Sequence, residues 1–172
     1  TYPTNSILTL PCDNDTWVIG FVTLSGDAPM RALLDTDVWM RVVGSFPAIA
    51  HWTEAEPVDA KVSSMSKLED RVRRLVVDGQ PVVTGVVAVG DSWACSNPSL
   101  GRGSTIGLLH AIALRDAVRE VGFGDPSQLA LAFDGCTANG PEPWLNATLD
   151  MDRARKAEID VAVKQAAKIL HI

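Results

Sequence analysis

The chain has 172 residues, with 15 Lys and Arg against 21 Asp and Glu, for a formal net charge of −6. Its apolar fraction of 47% and charged fraction of 21% exclude disorder and fit one ordinary globular domain, or two small ones. The acidic balance leaves no electrostatic footprint for nucleic acid or an anionic membrane, and no apolar run approaches the roughly 18 residues of a membrane span.

The opening Thr1-Tyr2-Pro3-Thr4-Asn5 carries neither an initiator Met nor the basic stretch and apolar core of a signal peptide. An excised piece of a longer polypeptide is expected. Cys12, Cys95 and Cys136 are widely spaced with no CxxC pair, and their odd number cannot close completely into intrachain disulfides, so a reducing, cytoplasmic setting is expected. Together with the scattered His51, His110 and His171 they offer no zinc spacing.

Ile7 to Leu10 and Trp17 to Leu24 read as two strands of a hairpin, joined at Cys12-Asp13-Asn14-Asp15. Ala28 to Val43 mixes apolar and charged residues at helical spacing and predicts one or two short helices. Val58 to Met65 and Arg74 to Val77 read as strands, with Asp78-Gly79-Gln80-Pro81 as a turn. Val82-Val83 and Val86 to Val89 form a dense β-branched run, the pattern of a strand buried on both faces as in a parallel sheet. Beyond residue 100 helical periodicity takes over. Ile106, Leu109, His110, Ala113, Leu114, Ala117 and Val121 share one face of a helix that Gly122-Phe123-Gly124 ends. Asp125-Pro126 caps a second helix running to about Ala138. Gly140-Pro141-Glu142-Pro143 reads as a break. A last helix is predicted from about Leu149 to Leu170, with Ile159, Ala162, Val163, Ala166, Ala167 and Leu170 on one side.

The segment that carries chemistry runs from Val86 to Thr105. It is an apolar stretch ending in Gly90-Asp91, then an irregular loop with Asn97-Pro98, then a Gly101-Arg102-Gly103 turn that opens the best helix in the chain. Ligands of open α/β sheets gather at strand carboxyl ends, and a helix start offers unpaired N–H groups to an anion or a polarised carbonyl. Gly101 and Gly103 let backbone approach a flat ligand, and Asp91 can accept hydrogen bonds from ligand hydroxyls.

In that order and spacing, Gly90-Asp91, Pro98, Gly101-Arg102-Gly103 and Asp116 resemble the second FAD-binding motif of flavoprotein monooxygenases of the para-hydroxybenzoate hydroxylase type. The likeness extends over most of the chain, and the twenty-residue motif is its specific part. It implies an α+β fragment of an FAD/NAD(P)-binding fold, with a mixed substrate-domain sheet, one buried parallel-type strand and carboxyl-terminal helices. Residues 1–84 would form the substrate-domain part, 85–124 the strand-loop-helix of the motif and 125–172 the terminal helices. The resemblance further implies that Gly90 and Asp91 hold the ribityl chain, that Pro98 lies near the isoalloxazine, and that Gly101, Arg102, Gly103 and Ser104 offer N–H groups to its pyrimidine end. It implies FAD as cofactor, NADH or NADPH as reductant, and a small aromatic or hydrophobic substrate. The position that many members fill with His after Gly-Asp is here Trp93-Ala94. The amino-terminal Gly-x-Gly-x-x-Gly is absent, so the adenosine and pyrophosphate half is expected outside this chain, which alone is expected to be an inactive fragment that holds FAD weakly or not at all. A truncated sheet also predicts self-association through an exposed edge.

Two other readings stand beside this one. Gly90-Asp91-Ser92 after an apolar run is similar to the nucleophile block of GDS-type esterases, with Ser92 as nucleophile; as candidate base His171 lacks the Asp three residues before it that this block pairs with. The same residues also suit a non-catalytic binding module, in which they end a strand and cap a helix. Of the remaining signals, His110 on an apolar face reads as a core histidine. Trp17, Trp39, Trp52 and Trp144 read as core or pocket aromatics, and Trp93 sits beside the ligand segment. Asp70, Arg71, Arg73 and Arg74 read as a surface charge cluster or a nicotinamide-phosphate contact. Cys95 lies in the motif loop.

Overall fold

The computed structural model describes residues 5–24, 26–66 and 68–169, in a mixed α and β arrangement. It divides into two units. One comprises the described residues of Thr1–Lys67 and Lys156–Ile172, the other Leu68–Arg155.

The first unit is built on an antiparallel hairpin, β1 (Asn5–Pro11) with β2 (Trp17–Thr23), in register from Asn5 opposite Thr23 to Pro11 opposite Trp17. The predicted turn forms, with Asn14 and Asp15 both in the left-handed region that their short polar side chains tolerate. The Thr16 amide and hydroxyl both donate to the Asp13 carbonyl and close the loop. A 3₁₀ turn at Pro29–Leu34 leads into α1 (Thr36–Gly44), where Asp35 accepts from the Val38 N–H as N-cap. A second 3₁₀ turn spans Ala50–Thr53. Val43 is fully buried, and Phe21 meets Trp39 edge-on at 6.4 Å.

The second unit carries two short antiparallel ladders before its helices. β3 (Arg71–Val72) pairs with β6 (Ala94–Cys95), and β4 (Val76–Val77) pairs with β5 (Gln80–Pro81) across Asp78-Gly79. Both turn residues have positive φ, the geometry of a two-residue hairpin. Then come α2 (Gly103–Val121), α3 (Pro126–Asn139) and α4 (Pro141–Ile169), the last continuing into the first unit. Asp125 caps α3 as expected, accepting from Ser127 and Gln128, with Pro126 in the first turn. Trp93, Ala94, Ile106 and Leu145 form one buried cluster; Ala113, Ala117 and Phe133 form another.

Four expectations need correction. No parallel or mixed sheet forms among the described residues, only three two-stranded antiparallel ladders. The run Val82 to Val89 makes no ladder, and Val82 and Val86 are 67% and 59% exposed. Gly85, at φ +76°, turns the chain between its two halves, so β-branched composition alone does not make a strand there. Val58 to Met65 is irregular rather than a strand, and Val58 is largely exposed.

The last correction concerns Gly140-Pro141-Glu142-Pro143, which starts α4 instead of breaking the chain. Proline is tolerated in a first helical turn, where its missing N–H has no intrahelical partner. Gly140 is the tight point between α3 and α4. A Cβ there would stand 2.9 Å from the Cys136 carbonyl oxygen. Leu170, placed on the last helix face, and His171, the candidate base, lie outside the described residues. The three segments 1–84, 85–124 and 125–172 differ from the two contact-defined units, because β3 to β6 share a unit with α2 and α3.

Candidate functional site

The segment around Gly90 is held by an ordered set of contacts within the second unit. Gly90–Ser92 is a 3₁₀ turn, and Gly90 has φ +60°, a conformation a side chain rarely adopts. The turn packs glycine to glycine on α2. A Cβ built on Gly90 would lie 3.9 Å from the Gly107 Cα, and one on Gly107 3.8 Å from the Gly90 Cα. Ser92 Oγ donates to the Val89 carbonyl at 2.7 Å and accepts the Val89 N–H at 2.8 Å, closing the turn. The Arg73 guanidinium donates to the Ser92 carbonyl at 3.0 Å and the Asp91 carbonyl at 3.4 Å, and the Arg73 N–H donates to the Trp93 carbonyl.

His110 is the hub of this arrangement, and only 1% of it is exposed. The Gly90 N–H donates to Nδ1 at 3.2 Å, which makes that nitrogen an acceptor. In the neutral ring Nε2 then carries the proton and donates to Thr137 Oγ1 at 3.0 Å. The Thr137 hydroxyl in turn donates to the Phe133 carbonyl at 2.7 Å. Every polar atom of the ring is satisfied, and burial pulls its pKa below the ordinary histidine value. Phe133 stacks on the ring at 4.7 Å and Trp93 leans on it at 4.2 Å. Trp93 is therefore a buried core residue. Sequence reading placed His110 in the core but missed its bond to Gly90. The available signal was Gly107 and His110, one turn apart on the helix that follows Gly-Asp.

The proposed ligand residues sit at the surface. Asp91, Pro98, Gly101, Gly103 and Ser104 are exposed, while Gly90 and Arg102 are half-buried. Asp91 has an exposed carboxylate with no hydrogen-bond or ion-pair partner among the described residues. Asn97 caps the 3₁₀ turn Pro98–Leu100 by accepting from the Ser99 N–H, and Gly101 ends that turn in the left-handed conformation at φ +65°. No side chain caps the start of α2, so its first N–H groups remain open. Asp116 pairs with its neighbour Arg115 on the exposed side of α2.

Asn97 also ties the motif loop to two carboxylates, a link the sequence did not suggest. Its N–H donates to Asp70 Oδ1 at 3.0 Å and its Nδ2 to Asp152 Oδ1 at 3.3 Å. The Asp152 Oδ2 is buried without a hydrogen-bond partner among the described residues. Burial, with the nearby Asp70 charge, raises the Asp152 pKa, and the Asn97 bond partly opposes the rise.

The charge cluster resolves into protein contacts. Asp70 serves Asn97, Arg71 pairs with Glu69, Arg73 holds the Gly90 turn and Arg74 pairs with Glu142 in the first turn of α4. That last bond raises the Arg74 pKa further, against a smaller opposing effect of burial. Ser92 is engaged by its own turn, and His110, the described histidine of the same unit, is committed to Gly90 and Thr137. Cys12 and Cys95 are exposed free thiols, and burial pushes the Cys136 thiol up. Among the described residues no three His, Cys, Asp or Glu side chains gather to hold a metal ion, and no helix is long and apolar enough to cross a membrane.

Comparison of the chain with protein-family models, curated proteins and solved structures yields no match.

Proposed function

We propose that the chain supplies the ribityl- and isoalloxazine-binding portion of an FAD-dependent, monooxygenase-like oxidoreductase. One observation carries the reading. The unpartnered Asp91 carboxylate stands on a turn clamped to α2 through Gly90, Gly107 and His110, and the uncapped start of that same helix follows a left-handed Gly101. An acceptor for hydroxyls and a set of open N–H groups thus sit on α2 and on the turn packed against it. That is what the sugar-alcohol chain and the pyrimidine edge of a flavin require.

The residues present fit the group. Asp91 would accept from ribityl hydroxyls, Pro98 would flank the ring, and Gly101, Arg102, Gly103 and Ser104 would present backbone N–H groups to its carbonyl edge. When bound, the flavin supplies hydride and oxygen chemistry, with NADH or NADPH as reductant. The positive end of the α2 dipole favours negative charge beside it. The chain's own part is to bind and orient. Its Ser92 hydroxyl, locked on Val89, supports the turn. The substrate in this reading is a small aromatic or hydrophobic molecule, the setting is cytoplasmic, and self-association uses the open edges of the β1–β2 hairpin.

Titration with FAD and with riboflavin, followed by flavin fluorescence, tests the proposal. Saturable binding of both is expected, weakened about tenfold by Asp91→Ala, the loss of one charge-assisted hydrogen bond of roughly 1.5 kcal/mol. Flavin affinity unchanged by Asp91→Ala overturns it.

A further inference from the structure

A second place on the molecule has the form of a ligand site, and it lies wholly within the first unit. A cleft of about 450 Å³ opens between β2, α1 and the irregular stretch after the Ala50–Thr53 turn. That volume falls in the range of small-molecule pockets, roughly 300–1,000 Å³. Three half-exposed indoles, Trp17, Trp39 and Trp52, stand along its wall.

The indoles are fixed in place. Trp17 and Trp52 meet edge to face at 5.4 Å, and the Trp17 Nε1–H donates to the Trp52 carbonyl at 3.0 Å. The polar handle of Trp17 is therefore consumed inside the protein, and what the ring contributes to the cleft is apolar and π surface. Trp39 is braced from behind by Phe21 at 6.4 Å, and Thr36 Oγ1 ties the start of α1 to the Ala60 carbonyl on the opposite side.

The charges around the cleft choose the ligand. Asp15, Glu56 and Asp59 line it against a single cation, Lys61. The Lys61 N–H donates to Asp59 Oδ1, which orders that carboxylate at the rim. Three negative groups in a cleft lined by indoles disfavour a carboxylate or phosphate and favour a positive charge. A cation on the face of Trp is stabilised by the ring quadrupole, and a nearby carboxylate adds to the effect.

We infer that this cleft binds a small organic cation, an ammonium or quaternary ammonium group carried on an apolar body. The apolar body lies against the indoles and the positive centre lies toward Glu56 and Asp59. The inference is independent of flavin binding, since it draws on no residue between Val86 and Thr105.

Tryptophan emission of the full chain, titrated with benzyltrimethylammonium, reads the binding directly, with benzyl alcohol and benzoate as neutral and anionic counterparts. Saturable quenching is expected with the cation, about tenfold tighter than with the alcohol, and none with benzoate. The double variant Glu56→Gln/Asp59→Asn changes only exposed side chains, so it keeps the fold. It should bring the cation to within about twofold of the alcohol. Trp52→Phe keeps an aromatic face and should weaken the cation less than Trp52→Leu, with far-ultraviolet circular dichroism confirming that each variant is folded. Equal affinity for cation and alcohol, undiminished cation affinity in the double variant, or no saturation by the cation at tens of millimolar overturns the inference.

Discussion

The two units solve the problem of a small core in different ways. In Leu68–Arg155 helices close around a buried polar group, and the His110 ring is accepted because each of its polar atoms has a partner. In the other unit a hairpin, a short helix and turns enclose Val43, while large aromatic rings stay half open along a cleft. A saturated buried network specifies one arrangement, because each missing partner would leave a desolvated group unpaired. An aromatic wall specifies less and leaves surface to be covered. The difference teaches where rigidity and where adaptability reside: the Gly90 turn is a fixed mount, and the indole cleft is a receptive surface.

The sharpest test of that contrast is a pair of equal truncations. Leu145→Ala, at a site 2% exposed, should cost about 2–5 kcal/mol, whereas Leu10→Ala on the hairpin, 47% exposed, should cost less than about 1 kcal/mol. Urea midpoints decide it, and equal losses would dissolve the distinction. Next in size is Thr137→Val, which leaves the His110 Nε2–H without an acceptor and should cost about 1–3 kcal/mol.

The protonation of His110 sharpens the comparison further. Its pKa is lowered in the folded protein, so the unfolded chain binds the extra proton first. The stability it contributes is fully present above the ordinary value of 6.5 and is lost as pH falls from there through the lowered folded value. Thermal midpoints measured between pH 7.5 and pH 5 should fall, and His110→Gln should flatten that slope.

Asp152 has the opposite sign. Its pKa is raised, so its charge costs stability once pH exceeds the folded value, and that cost disappears as pH falls below the ordinary 3.8. Asp152→Asn keeps an acceptor for Asn97 and should stabilise the protein at pH 7, by under about 1 kcal/mol because the group is partly screened by solvent. The gain should vanish at pH 3. The smallest effect is expected at the exposed Lys156–Asp160 pair, where Lys156→Gln should change stability by no more than about 0.5 kcal/mol.

Much of the helical half was legible because period and punctuation agreed. Ile106, His110, Ala113 and Ala117 are the buried face of α2, and Asp125-Pro126 and Gly122 mark its neighbourhood as read. The first hairpin was legible for the same reason, since alternating residues flank a turn of Asp and Asn. The region from Val58 to Val89 was not. Its β-branched residues suggested buried strands, but a ladder needs a partner in register. The positive φ of Gly85 and the tight Asp78-Gly79 turn leave only two-residue pieces. Pro141 and Pro143 misled in the other direction, because the cost of proline depends on its distance from the helix start.

The candidate site was legible as a string and illegible as a structure. Glycine spacing singled out Gly90, Gly101 and Gly103, but nothing in the string showed that Gly107 receives Gly90, or that Asn97 joins Asp70 to Asp152. Both are long-range contacts.

The path of α4 has a consequence for biosynthesis. The unit that holds the hairpin also takes the residues of α4 from Lys156 onward, including the buried Ile159. On the ribosome its first part emerges early and then waits for all of Leu68–Arg155, a delay on the order of ten seconds at about 5–20 residues per second. During that interval Leu8, Leu10 and the open hairpin edges are exposed to other nascent chains, while the intervening unit, contiguous in sequence, is free to fold first.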